Sequence, residues 1–185
     1  MQVRKILTAC FTLTILAAYS AAASAESVGS IKLPDPQTQG GKPLMQALKE
    51  RMSQRSFSSK DIPLQVMSDM LWAANGISRP ATGLRTAPSA RNMQEIDIYA
   101  AMASGLYLYD AKTNTLVKIL NDDLRAASGT QPFVKDAPVN LIFVADISKM
   151  GKMTAADADF YAATDTGFVS QNVYLYCASA GLATV

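Results

Sequence analysis

An α+β fold, one sheet packed against helices around a single core, follows from three observations on this sequence. Segments with helical periodicity and segments with strand alternation are interspersed along the chain. Two of the strands are joined by a short polar turn as a hairpin. No regular strand-helix-strand alternation, the pattern of a parallel doubly wound sheet, runs through it.

The first segment stands outside that fold. Arg4 and Lys5 precede a nearly unbroken apolar run, Ile6 to Ala18, and Ala23-Ser24-Ala25 supplies a small-x-small cleavage site before Glu26. Residues 1–25 read as a secretory signal peptide, because the apolar run is shorter than the roughly 20 residues of a spanning helix. The mature protein is expected to be exported, periplasmic or secreted, with no stable membrane anchor after cleavage. Residues 26–42, rich in Pro, Gly, Gln and Ser, read as an extended leader, and residues 43–185 as the domain.

Behind Pro43, Leu44, Leu48 and Met52 recur at helical spacing, and Lys49, Arg51 and Arg55 cluster near the end of that helix, where they complement its dipole. Ile62-Pro63 opens a second helix along Leu64, Met67, Leu71 and Ala74, with Trp72 near its end and Asn75-Gly76 as the stop. Ser78 to Arg91 reads as a polar loop. Ile96 to Met102 alternates as a strand; Leu106 to Tyr109 and Thr115 to Leu120 form the hairpin around Asp110 to Asn114. Asp122 to Ala127 suits a short helix. Val139 to Ala145 is apolar almost throughout, which predicts a central strand covered on both faces. Lys149 to Met153 reads as a loop. Ala155 to Ala180 is a long helix with Phe160, Thr164, Phe168, Asn172, Leu175 and Ser179 on one stripe. The chain leaves that helix at Gly181 to Val185 without a closing strand, so the domain is expected to be incomplete at its C-terminus.

Composition removes several function classes. The sequence has no histidine, which excludes Ser-His-Asp and Cys-His hydrolases and zinc sites built on His. It has no Gly-rich phosphate loop, and no Ser-x-x-Lys begins an apolar helix. The formal charge of +2 comes from Arg4 and Lys5, since residues 1–25 hold no acid. A neutral mature chain has no general attraction for nucleic acid or anionic membrane. Cys10 leaves with the signal peptide and Cys177 remains alone in an apolar stretch, so no internal disulfide forms and a buried, inert thiol is expected. No side chain is singled out for catalysis, and no metal set is present.

Two polar segments stand out. Arg51, Ser53 and Arg55 lie two apart, a spacing that fans side chains around a helix. Read alone they are first a solvated helix end. If the chain extends there, two guanidinium forks and a hydroxyl converge on one anion. Pro88-Ser89-Ala90-Arg91-Asn92-Met93-Gln94 is first a helix start with Ser89 as its cap, and second a set of amides suited to the polar edge of a heterocycle.

Taken in order, Arg51-x-Ser53-x-Arg55-x-Phe57, the helix from Ile62-Pro63 to Ala74, Pro88-Ser89-Ala90-Arg91-Asn92-x-Gln94, Ala137-Pro138 entering a strand, and Gln171-Asn172-Val173-Tyr174-Leu175 leading to Gly181-Leu182 resemble the nitroreductase family. Within that family the chain looks most like the branch that includes thiazoline and oxazoline dehydrogenases. The resemblance spans Pro43 to Val185. It implies an α+β fold with a mixed or antiparallel sheet flanked by helices, a long central helix, and a homodimer with FMN at the interface. Arg51, Ser53 and Arg55 match the element that contacts the flavin ring edge and ribityl phosphate. Pro88, Ser89, Ala90 and Asn92 match the loop that the partner subunit lays against the flavin. The implied reaction is hydride transfer from a reduced nicotinamide through the flavin to a nitro, quinone or related aromatic acceptor. The alternatives are a heterocycle or peptide dehydrogenase of the azoline type and a flavin-binding or structural relic. Family members continue past the position of Val185 with a further flavin-contacting segment.

Overall fold

A computed structural model describes residues 29–185, so the expected signal peptide lies outside the described residues. A five-stranded antiparallel sheet has the order β1-β6-β5-β4-β7, with β1 at Ile31–Lys32, β4 at Ile96–Met102, β5 at Gly105–Asp110, β6 at Thr115–Leu120 and β7 at Val139–Ala145. Helices α1 (Leu44–Glu50), α2 (Leu64–Asn75) and α3 (Ala155–Ala180) flank it. α2 lies against α3, and α1 also packs on α3. The expected α+β class and long helix are present, and the sheet is wholly antiparallel.

The core forms where the periods of strand and helix meet. β4 turns Ile96, Ile98 and Ala100 inward, and β5 adds Tyr107 and Tyr109. Met67, Met70, Leu71 and Ala74 of α2 and Val169, Val173 and Cys177 of α3 cover them. Asn75 at the end of α2 donates from Nδ2 to the Ile96 carbonyl at 3.2 Å, tying helix to strand through a buried polar bond. The amide expected to need a partner in α3, Asn172, reaches the Ala74 carbonyl at 3.4 Å, while Gln171 stays exposed. α3 starts at Thr154, whose hydroxyl accepts from the Asp157 N–H at 3.1 Å. It stops at Gly181, where φ of 73° takes the left-handed conformation that closes a helix end.

Several expectations need correction. Residues 31–33 of the leader belong to the fold: β1 pairs with β6, Leu33 is buried, and the Pro34 carbonyl accepts from Ser68 Oγ and Asn114 Nδ2. Ser78 to Arg91 is not simply a loop, because β2 (Ile77–Arg79) and β3 (Leu84–Arg85) make a small hairpin. β7 pairs only with β4 and stands at the sheet edge, not in its centre. Its apolar run is explained by a cleft of about 870 Å³, into whose wall Val139, Leu141 and Phe143 enter opposite Val66, Met70 and Val173. Short 3-10 turns replace the expected helix at 122–127, which narrows to Arg125–Ala127, and part of the loop after β7, at Ile147–Met150.

The apolar stripes of α1 and α3 do not face the core. Leu44, Met45, Leu48 and Met52 are exposed, as are Phe160 and Phe168, the former at 66%. The face of α3 that enters the core carries Ala158, Asp165, Val169, Val173 and Cys177 instead.

Candidate functional site

α1 ends at Glu50, short of Met52, the last residue of its apolar spacing, and Arg51 leaves it in an extended conformation with φ −57° and ψ 122°. An extended chain lifts the two-apart spacing problem, since Arg51, Ser53 and Arg55 then alternate along one side. The segment is held at few points. The Gln54 N–H donates to the Thr184 carbonyl at 2.8 Å. The Arg51 guanidinium lies 5.8 Å from the centroid of the Tyr174 ring, and that of Arg55 5.9 Å from the Phe133 ring. Phe133 in turn meets Phe57 at 6.2 Å. The rings support the guanidiniums through their faces and leave the N–H forks unused. Among the described residues no carboxylate pairs with Arg51 or Arg55, and Ser53 is exposed with no hydrogen-bond partner. Two cations and a hydroxyl with unspent donors in one short non-helical stretch fit an anionic phosphate or a carbonyl-rich ring edge.

The second segment is built differently. Ala90–Asn92 is a single 3-10 turn and not the start of a longer helix. Ser89 does not cap it; its Oγ accepts from the Gln94 N–H at 2.9 Å, closing the loop on itself. Arg91, Asn92 and Gln94 all have φ near +50°, the left-handed region, which costs a side-chain-bearing residue about 1–2 kcal/mol. Three such residues in four positions are held by a dense set of bonds. Gln94 Nε2 donates to Asn92 Oδ1 at 2.9 Å and to the Gly83 carbonyl at 3.1 Å, and Gln94 Oε1 accepts from Arg85 Nε at 2.9 Å. Arg85 Nη1 donates to the Asn75 carbonyl at 2.7 Å, and burial draws this guanidinium below its usual range. The Ala90 N–H donates to Asp165 Oδ2 at 2.8 Å, which fastens the loop to α3. Pro88, Arg91 and Asn92 stay exposed. Local strain over-determined by its surroundings marks a loop kept in a working shape.

Each half therefore assembles as a unit, but the two do not meet. One is anchored to α3 at Asp165 and the other at Tyr174, nine positions on. At 3.6 residues per turn that is about two and a half turns, which places the anchors on opposite sides of the helix and about 13 Å apart along it. No hydrogen bond or ring contact joins the two segments among the described residues. The large cleft beside β7 holds neither arginine; of the basic segment only Gln54 reaches its wall.

Sequence reasoning missed the supports of both halves. Tyr174 and Phe133 under the guanidiniums carry no local signal. Asp165 does: it falls at the four-residue spacing of Val169, Val173 and Cys177, an acid on the stripe that enters the core. Glu95, fully buried at the foot of β4, was missed as well. Cys177 is as expected, buried, with burial pushing its thiol up to about 11. No group of three His, Cys, Asp or Glu among the described residues is placed to hold a metal ion.

Comparison with known proteins adds the relatives. The model of the nitroreductase family matches residues 48–185. A Methanocaldococcus jannaschii protein that bears the nitroreductase name is 31% identical over 152 residues, which is 77% of this chain and 76% of that protein. A solved structure from Ralstonia eutropha under the same name superposes with a TM-score of 0.79 at 42% identity, covering 83% of this chain and 73% of its own. A further one from Desulfovibrio desulfuricans, solved in complex with FMN, has a TM-score of 0.50 at 20% identity over 75% and 63% of the two chains, a likeness of fold.

Proposed function

The chain belongs to the nitroreductase family, and from that premise we propose that it is an FMN-dependent oxidoreductase. The observation that carries the proposal is the segment Arg51 to Arg55: two guanidiniums seated on aromatic rings, with no carboxylate among the described residues to neutralise them. Donors left unspent beside a helix end are what a phosphate-bearing, oxygen-rich ring system requires. Arg51, Ser53 and Arg55 would hold the phosphate and ring edge. Pro88, Ser89, Ala90 and Asn92 would close over the ring from the strained loop. Bound flavin would supply the two-electron chemistry, hydride from a reduced nicotinamide passing to a nitro, quinone or related aromatic acceptor. The protein's own part is binding, orientation and exclusion of water, for which neither histidine nor a nucleophile is needed.

The separation of the two halves along α3 favours a homodimer in which each site draws one half from each subunit. The exposed stripes of α1 and of α3 at Phe160 and Phe168 offer the apolar surface that such pairing buries. Export to the periplasm or beyond belongs to the same proposal and rests on the pattern of residues 1–25.

Purified protein is expected to be yellow or to become so on titration with FMN, with turnover of nitroarenes or quinones by reduced nicotinamide. A colourless preparation that takes up no FMN sinks the reading. Flavin binding without turnover would leave the relic among the readings and remove the reductase.

A further inference from the structure

Glu95 has no accessible surface, and no N–H or O–H of another residue reaches either of its carboxyl oxygens. It sits immediately after Gln94, at the exit of the strained loop, and its backbone carbonyl accepts from the Asp146 N–H at 2.9 Å. The neighbouring carboxyl is that of Asp165, itself buried on α3, which favours the protonated form of Glu95 as a hydrogen-bond partner and by its charge. Two carboxylates cannot bond to each other; a carboxylic acid and a carboxylate can, with one hydrogen between them. Asp165 is also the acceptor for the Ala90 N–H, so this pair joins the start of the loop, its exit and α3 at one point.

We propose that one proton shared by Glu95 and Asp165 is the latch that holds the Pro88–Gln94 loop in its left-handed shape, making Glu95 a positioning residue for the site. The role of the loop toward flavin rests on the proposed function; the latch itself does not. The charges around Glu95 are few. Asp165 on α3 opposes its ionisation, and Lys149 beyond β7 favours it but is engaged with Asp97 at 2.7 Å and Asp146 at 3.6 Å. Arg85 on β3 reaches Gln94, not Glu95. Burial raises the Glu95 carboxyl above its ordinary range, and the neighbouring Asp165 adds to that rise. The sign follows. A carboxyl whose pKa is higher in the folded state stabilises it fully below the unfolded value, and that contribution is lost as pH rises through the raised folded value.

The test is hydrogen exchange of the full chain from about pH 5 to about pH 9, with protection factors corrected for intrinsic exchange, beside infrared spectra of the same samples. Between the ordinary and the raised pKa of Glu95, protection of the Ala90 and Gln94 amides should fall about tenfold per pH unit and level off above the raised value, while the strand amides of β4 and β5 hold. The infrared band of a protonated, buried carboxylic acid should fade at the upper end of that range, where the fall in protection levels off. Glu95→Gln keeps a hydrogen donor and removes the titration, so its loop protection should be flat with pH. Asp165→Asn removes the neighbouring charge and offers the Glu95 carboxylate a donor, so the acid band should fade at a lower pH than in the wild type. A wild-type spectrum without the acid band, or loop protection that stays flat over the pH range below the point where the band fades, overturns the proposal, even if neither variant folds. If latch and band behave as stated but FMN does not bind at any pH, the flavin reading fails and the latch stands.

Discussion

The segment Arg51 to Arg55 and the loop Pro88 to Gln94 carry the same kinds of polar atom and are built in opposite ways. The loop spends its polarity internally: Ser89, Asn92 and Gln94 bond one another, and Ala90 bonds Asp165. The basic segment has two backbone ties, from Arg51 back to Ala47 and from Gln54 to Thr184, and two rings beneath its guanidiniums. A loop of the first kind meets its strain at folding and loses little freedom when a ligand arrives. A segment of the second kind folds without strain and orders its long side chains only on binding, at about 0.5–1.5 kcal/mol for each. The difference assigns shape to one half of the site and charge to the other.

That contrast can be broken most strongly at Asp165. Asp165→Ala leaves the Ala90 N–H and the Glu95 acid without a partner in a buried place, and about 2–4 kcal/mol of unfolding free energy should be lost in urea titrations without flavin. A loss below about 0.5 kcal/mol would mean that the loop holds its shape without this anchor. Arg55→Ala should act the other way round. Flavin binding should weaken by about tenfold to a hundredfold, as for loss of a charge-assisted hydrogen bond, with the urea midpoint nearly unchanged. Equal FMN affinity in both proteins would remove Arg55 from the site. Phe160→Asp tests whether the halves come from two chains. Sedimentation should show the dimer shifting toward monomer, and flavin affinity should fall with it while monomer stability is kept. The smallest expected effect is at Arg91, exposed and left-handed. Arg91→Gly relieves the local strain and gives back part of the gain as chain entropy, for a net stabilisation of about 0.5 kcal/mol by calorimetry.

How far the fold was legible depended on whether a pattern had one physical cause or two. The bounds of α3, β4 and β6 follow from periodicity and turn residues, because caps and alternation are local. The apolar run of β7 is the opposite case. Val139 to Ala145 is apolar but for Asn140, which suits a strand between two neighbours and equally a strand at the edge of a cleft. Likewise Phe160, Thr164 and Phe168 keep helical spacing, but spacing does not say whether the stripe faces a core or solvent. The β2–β3 hairpin was hidden because two- and three-residue strands leave too short an alternation to read. At the site, the donors were legible as residue types, while the rings under the arginines and the acid behind the loop come from distant parts of the chain. Asp165, also missed, is the one support with a local signal, an acid spaced with buried valines.

Cys177 offers a built-in reporter of the basic segment. Its thiol is buried, raised by that burial to about 11, and lines the same cleft as Thr184, whose carbonyl receives Gln54. The turn at Gly181 folds over it, with the Leu182 N–H on its carbonyl at 2.8 Å. The thiol borders the cleft beside β7 and is 3% exposed, so a thiol reagent gains access as the end of α3 and the segment at Gln54 part. The rate of labelling is a clock for that parting, with no label or substitution introduced. If an anion occupies the arginines, the clock should slow in proportion to occupancy.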